Sequence, residues 1–599
     1  MSQDNAAELT SEERLRSLGQ EIDKTTTESQ TVANHAGLTA LGDEMKNVSP
    51  PKKGGRHSAH GHSRKKRRVR RIVLISLVVL LILVGGGAGY LYYLTHDLNR
   101  VEVRGLAGAL TTGQEAGTEN ILMVGSTSRC ALAQQNPAYG LCSQGVNGVN
   151  SDVIMILHAD PSHHRLALLS IPRDLFIPNA RSTGANKIDA GLYQGLTQLV
   201  AAIEEDFGIP IQHAVSLNFD QFANIVDALG GINMSFPISV FDWAPTGGGV
   251  NGNQSVSSGL NQRAAACVQL NGTQALEVVR ARHLRYETPD SNPDDPYAWP
   301  QENQSDLARI RRDHEFLRVL ASAVSKQGLG NPITDINLIN SVKSDLTFDQ
   351  SWAVSDMANL VLDFHSININ GVPQLTLPVA VVTDPDGAGG GLVYEGGAYG
   401  DVEFPAQGQD QSAIDQLLSI GPNTDSMTGA ALPSASSVTV SVLNGTGAYN
   451  QASDTSAALA ALGFHTVGIG DTPPVGDVAE TYVYYGSRSA STEAAAEAVS
   501  RSMSGSVIMA YDPTKVVDGA QVTVVTGSQF AVNPPPAVPT STTAPAAAPT
   551  TTAASTAPTS ASSGAIATPS PSTSNLQPWD PRGCPSGTTP VPPSPNPGT

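Results

Sequence analysis

Residues 72–94 contain no charged side chain, and a dense basic cluster stands directly before them: Arg64, Lys65, Lys66, Arg67, Arg68, Arg70 and Arg71. At about 1.5 Å per residue, a helix of this length spans a hydrocarbon core of about 30 Å. Only Asp97, Arg100, Glu102 and Arg104 follow closely on the other side. The positive-inside rule then gives a single-pass protein of the cell membrane, with its N-terminus cytoplasmic and everything after residue 94 outside. A cleaved signal peptide fits less well, because the run starts far from Met1 and no A-x-A-like site follows it.

Composition divides the rest. Residues 1–71 read as a disordered cytoplasmic tail with a basic end, having few large apolar residues. Residues 99–420 alternate short apolar runs with helical patterns, as an α/β domain does. Residues 421–436 (GPNTDSMTGAALPSAS) have the composition of a linker. Residues 437–530 form a second, small α/β domain, and 531–599 are a Pro/Ser/Thr/Ala-rich tail expected to be disordered. The formal charge of -19 argues against nucleic-acid binding.

The four cysteines are Cys130, Cys142, Cys267 and Cys584. A disulfide between Cys130 and Cys142 would close the loop CALAQQNPAYGLC in an oxidising compartment. Cys267, among apolar neighbours, reads as a buried thiol. Neither the spacing nor a nearby His pair suits zinc.

Three runs in the large domain read as buried strands: NILMVG (120–125), DVIMILH (152–158) and RLALLSI (165–171). The turn residues Asp160, Pro161 and Ser162 make the last two a hairpin. The start of the first strand then lies beside the end of the second, so Asp152 and Arg173 face one rim of the sheet. Arg129 joins them if the 120–125 strand also pairs antiparallel. A carboxylate with several arginines at one sheet edge suits a phosphate, with or without a divalent metal. Arg280 and Arg282 share a face if 277–283 is extended. In 306–326 the apolar spacing is helical, and Arg309 and Arg312 lie one turn apart, with Asp306 at the helix start. Taken singly, each of these charges reads as a surface salt bridge.

In order, the elements NILMVGSTSR (120–129), NSDVIMI (150–156), LLSIPRDLFI (168–177), ANKIDAGLYQG (185–195), NFDQFANIVDALGGI (218–232), LNGTQALEVVRARH (270–283) and DLARIRRDHEFL (306–317) resemble the LytR-CpsA-Psr family of cell-wall glycopolymer transferases. The 437–530 segment, with VLNGTG at 442–447, resembles the small LytR C-terminal domain of actinobacterial members. The resemblance implies an α/β/α fold with a central, mostly antiparallel sheet and an apolar groove for a polyprenyl chain. By motif it assigns pyrophosphate contacts to Arg129, Arg173, Lys187, Arg280, Arg282 and Arg309. It makes Asp152 the carboxylate for Mg2+ (or Mn2+), and Asp152, Arg173 and Asp306 the catalytic set. Three positions depart from the family pattern. Thr127 stands where the first loop usually has Asp, Asp189 where Asn is frequent, and Asp313 where Gln is common.

The implied activity is a phosphotransferase that attaches a polyprenyl-pyrophosphate-linked glycopolymer to peptidoglycan, with polyprenyl-pyrophosphate phosphatase as a side activity. Arabinogalactan is the glycan expected for an actinobacterium. The partners are then the lipid-linked glycan, peptidoglycan, the membrane, and proteins met through 437–530. The alternative is a weakly catalytic or non-catalytic polyprenyl-phosphate-binding assembly protein of the cell envelope, motivated by Thr127 and Asp313. A transcriptional regulator is a poor third, since the cytoplasmic part holds no helix-turn-helix.

Overall fold

The runs read as buried strands form the middle of a seven-stranded sheet in this computed structural model. It describes residues 98–108, 117–127, 142, 149–242, 258–303, 305–326, 346–364, 366–382, 391–472, 480–535 and 576–594. In chain order the strands are β1 (Asn99–Val101), β2 (Glu119–Ser126), β3 (Ser151–Asp160), β4 (Arg165–Ser170), β5 (His213–Leu217), β6 (Thr347–Asp349) and β7 (Gln374–Thr376). Their spatial order is β1-β6-β5-β2-β3-β4-β7. The hairpin reading holds, with β3 pairing β4 from Met155↔Ser170 to Asp160↔Arg165. β2 also pairs antiparallel to β3.

Alternation along these strands sends Leu122, Val124, Ile154, Ile156 and Leu169 to one face, where all are buried. Helix α1 (Leu196–Phe207) covers them. Its Leu196, Leu199, Val200, Ile203 and Phe207 recur every three or four residues and face the sheet. It stops at Gly208, whose φ of 66° suits glycine. Each aliphatic side chain buried there contributes roughly 1.5–3 kcal/mol over exposure. On the opposite face, Met123, Val153, Leu157, Val215 and Leu217 are only half-buried.

A second core lies between helices α2 (Phe219–Ala228), α3 (Gly272–Arg280) and α4 (Ser305–Lys326) and the antiparallel strands Ile232–Phe236 and Ala265–Leu270. Both short helices open on a reciprocal capping box, Asn218 with Gln221 and Asn271 with Gln274. Helix α5 (Gln409–Leu418) returns to the first core, burying Ile414, Leu417 and Leu418.

The small domain is a five-stranded sheet of β8 (Thr439–Asn444), β9 (His465–Asp471), β10 (Thr481–Tyr485), β11 (Val507–Tyr511) and β12 (Val522–Thr526), in the order β9-β8-β12-β10-β11. Helices α6 (Gln451–Ala461) and α7 (Ala490–Ser500) pack on it. It docks on the large domain. Tyr482, Tyr484 and Ile508 belong to the same core as α1 and α5. Tyr485 Oη donates to the Glu205 carbonyl at 3.1 Å, and Asn179 exchanges two hydrogen bonds with the Tyr511 backbone.

Several expectations need correction. The main sheet is mixed, not mostly antiparallel: β1–β6, β2–β5 and β4–β7 are parallel pairs. Hairpins dictate antiparallel neighbours only where strands are joined by short turns, as in β3–β4. No described helix is long and apolar enough to cross a membrane. The longest, α4, carries charges along its length. Residues 72–94, where the sequence places a transmembrane helix, lie outside the described residues. No described helix supports the expected membrane-spanning element or the single-pass localisation. Residues 421–436 are a packed connection, with Asp425 and Ser426 buried and Ser426 Oγ donating to Glu497. Cys267 is not a free thiol. It forms a disulfide with Cys584, and residues 576–594 lie ordered on the large domain. Cys142 is also disulfide-bonded. Cys130, its expected partner, lies outside the described residues, as does Arg129.

Candidate active site

The rim predicted from the hairpin is where the charges meet. Gly125 pairs with Val153 while Ser126 pairs with Ser151, so Asp152 is the extra residue of a β-bulge. A bulge releases backbone groups from the ladder and re-aims the side chain. Both consequences are used. The Asp152 carbonyl accepts from Arg309 Nη2 at 2.6 Å, and its Oδ1 accepts from Arg173 Nη1 at 2.5 Å. Arg173 leaves β4 through Pro172, and its Nε lies 3.2 Å from Asp306 Oδ1 and 3.4 Å from Asp174 Oδ2. Helix α4 supplies Asp306 and Arg309 from its first turn, 3.0 Å apart. Arg282 approaches from the end of α3, with Nε 3.7 Å from Asp306 Oδ1 and Nη2 3.9 Å from Asp174 Oδ2. Lys187 Nζ donates to Asp174 Oδ1 at 2.8 Å.

Arg173, Lys187, Arg282 and Arg309 thus converge on Asp152, Asp174 and Asp306, contributed by five separate stretches of chain. Arg280 lies at the end of α3, two residues before Arg282. Residues 277–280 are helical, and the extended backbone begins at the C-cap Ala281. The Arg280 guanidinium lies 4.8 Å over the Phe219 ring. The sequence reading missed Asp174 as a partner, although it directly follows Arg173. It also missed Glu403, which enters as its amide donates to the Asp174 carbonyl at 3.0 Å. No local pattern around Glu403 announces that role.

The electrostatics separate two kinds of acid. Burial pushes Asp152 up, but Arg173, Arg309 and Arg282 outweigh it and hold the carboxyl down at about 2. Burial raises Asp189 to about 6, with Arg173 opposing and Asp174 adding to the rise. Burial likewise raises Glu403 to about 7, helped by Asp306 and Asp174. Asp313 is raised to about 7 by burial against the pull of Arg309 and Arg312. Two of the departures from the family pattern, Thr127 and Asp189, meet through Asn150. Thr127 Oγ1 is held by the Asn150 backbone, and the Asn150 amide donates to Asp189 Oδ2 at 3.1 Å.

The Nε atoms of Arg173, Arg282 and Arg309 are buried without a hydrogen-bond partner. Buried unsatisfied donors are costly, and an anion entering the cluster would use them. Among the described residues no group of three metal-ligating side chains occurs. Mg2+ needs none, since it is commonly held by one or two carboxylates plus phosphate oxygens and water. Asp152, kept ionised and with its side chain 20% exposed, fits that demand.

The sequence pattern of the LytR_cpsA_psr family matches residues 95–399, a little more than half of the chain. The chain belongs to the LytR-CpsA-Psr family. A second pattern, described as LytR cell envelope-related transcriptional attenuator, matches residues 437–530 of this LytR-CpsA-Psr protein. Over 304 residues it is 30% identical to the "Probable cell wall biosynthesis protein LcpB" of Corynebacterium glutamicum, covering 50% of this chain and 63% of that protein. Over 240 residues it is 25% identical to the "Polyisoprenyl-teichoic acid--peptidoglycan teichoic acid transferase TagU" of Oceanobacillus iheyensis, covering 37% of this chain and 64% of that one. The chain therefore spans less than two thirds of these relatives, which come from two different bacterial groups. Among solved structures, the LytR-Csp2A-Psr enzyme from Actinomyces oris is 24% identical with a TM-score of 0.36, covering 47% of this chain and 88% of that chain. With B. subtilis TagV the identity is 19% and the TM-score 0.35, covering 50% and 95%.

Proposed function

We propose that this chain is a phosphotransferase that moves a glycopolymer phosphate from a polyprenyl pyrophosphate to peptidoglycan. The observation that carries the reading is the convergence of Arg173, Arg282, Arg309 and Lys187 on Asp152, Asp174 and Asp306 at the bulged end of β3. Phosphoryl transfer needs positioning and charge neutralisation more than covalent help, and an arginine clamp supplies both. The name of the Oceanobacillus relative describes transfer of a polyisoprenyl-linked polymer to peptidoglycan. The half-buried strip of Met123, Val153, Leu157 and Val215 suits an apolar chain leading to the clamp.

In this reading an acceptor hydroxyl of peptidoglycan bonds to the phosphorus that bears the glycan, and the phosphoanhydride bond breaks. The leaving polyprenyl phosphate takes the electron pair while Arg173, Arg282 and Arg309 hold its charge. The hydroxyl proton goes to Asp189, whose pKa of about 6 suits a general base. Asp306, ringed by Arg173, Arg282 and Arg309, serves to aim the guanidiniums. Mg2+ or Mn2+, held by Asp152, would neutralise phosphate oxygens. In an actinobacterium the glycan would be arabinogalactan.

The test incubates the purified chain with Mg2+, a polyprenyl-pyrophosphate-linked glycan and peptidoglycan, and follows glycan phosphate on peptidoglycan by mass spectrometry. Arg173→Ala and Asp152→Ala should each lower transfer by about 100-fold or more. Equal turnover in wild type and both variants would refute the site. Lipid binding without transfer would make the chain a carrier-binding assembly protein.

A further inference from the structure

We propose that residues 576–594 are a positioning strap for the anion site, with Asp580 as the residue through which the strap acts. This inference rests on the reading of the arginine cluster as a pyrophosphate clamp. The strap lies across the outer side of α4. Its Trp579 ring stacks on Tyr286 at 3.9 Å between centroids and 3° between planes. Trp579 Nε1 donates to Glu302 Oε1 at 3.0 Å. Strand β13 (Arg582–Gly583) pairs antiparallel with Ser235 and Met234, and the Gly583 amide donates to Glu315 Oε1 at 2.9 Å. The Cys584–Cys267 disulfide then ties the strap down.

At the centre is a buried charge network. Asp580 is fully buried and accepts from Arg311 Nε at 2.6 Å and Arg311 Nη2 at 3.2 Å. Arg312 Nη1 lies 3.6 Å from Asp580 Oδ1. Glu302 pairs with both arginines. Arg312 also donates to the carbonyl of Ala281, the residue before Arg282. Arg312 is one helical turn from Arg309. The network therefore grips the two segments that carry Arg309 and Arg282 into the site.

A buried ion network adds little stability over an apolar plug of similar shape, but it fixes geometry through directional bonds. That is what an anion clamp requires, since its donors must be held to within about 0.5 Å. Without the Asp580 charge, Arg311 and Arg312 are left to share one carboxylate. Two like charges on one buried partner separate, and the first turn of α4 and residues 281–282 lose their register. Asp580 is thus a positioning residue acting through α4, and the disulfide is the tether that keeps it in place.

The test titrates the full chain with inorganic pyrophosphate by calorimetry, in wild type, Asp580→Asn, Asp580→Glu and Arg309→Ala. Asp580→Asn should weaken binding about tenfold while melting cooperatively, and Asp580→Glu should recover part of the loss. A Cys267→Ala/Cys584→Ala variant, which frees the strap without touching its charges, should show a loss of the same order. In the transfer reaction the effect of Asp580→Asn should fall on KM for the lipid-linked substrate more than on kcat. If wild type binds pyrophosphate, Arg309→Ala abolishes binding, and both the Asp580→Asn and the double-cysteine variants bind as wild type, the strap proposal is wrong while the clamp stands. Wild type that does not bind, or Arg309→Ala that binds equally well, overturns the clamp and the strap together.

Discussion

The acids around the clamp differ in what their surroundings do to them. Asp152 faces three guanidiniums and stays charged. Asp189 is buried with one carboxylate oxygen held by the Asn150 amide and titrates near 6. If Asp189 takes the acceptor proton, kcat/KM should rise as pH climbs through about 6, where the carboxyl loses its proton. In Asp189→Asn that limb should vanish and the rate fall roughly 100-fold. A pH–rate profile of the two proteins checks it, and an unchanged limb in the variant moves the base elsewhere. The residues of the rim were readable beforehand because a hairpin forces the start of one strand beside the end of the next. Asp152 and Arg173 needed only that logic. Glu403 was not readable, because it reaches Asp174 from more than two hundred residues away with no motif of its own. The condition under which Arg280 and Arg282 would share a face, an extended 277–283, is not met, because the helix of α3 runs through Arg280.

At the scale of elements, α3 is placed by a close approach to α2. A Cβ on Gly272 would meet the Ala223 carbonyl oxygen at 2.1 Å and Ala223 Cα at 2.6 Å. Backbone cannot yield as a flexible side chain can, so Gly272→Ala should push the helices apart. The expected cost is roughly 1–3 kcal/mol, read from urea unfolding. Because α3 leads to Arg282, pyrophosphate affinity should fall with it. A fully stable variant would show that the α2–α3 contact does not set the position of α3. Helical spacing in 306–326 made α4 legible, whereas α2 and α3 were not read, although each opens on an Asn-x-x-Gln cap. The partners of the sheet edges were not, since parallel pairing of β4 with β7 joins strands separated by most of the domain.

Over the whole chain, the second family pattern covers residues 437–530, and the large and small domains share a core. Tyr482, Tyr484 and Ile508 pack with α1 and α5, and Arg488 pairs with Glu205. Calorimetric unfolding should therefore show one transition for residues 99–530, and loss of 437–530 should lower the melting point of the remainder. Two well-separated transitions would mean that the interface contributes little. The tail was hidden from the sequence for a related reason. Its composition is poor in apolar residues, and beside the stacked Trp579 a disulfide and a buried carboxylate hold 576–594.

The central claim is that the arginine cluster is a pyrophosphate clamp. The most direct measurement is a crystal structure of the chain with a short-chain polyprenyl pyrophosphate and Mg2+. The account predicts phosphate oxygens within hydrogen-bond distance of Arg173, Arg282 and Arg309, with the apolar chain along Met123, Val153 and Val215. A pyrophosphate bound elsewhere, or a cluster left closed on its own carboxylates at saturating ligand, would contradict it.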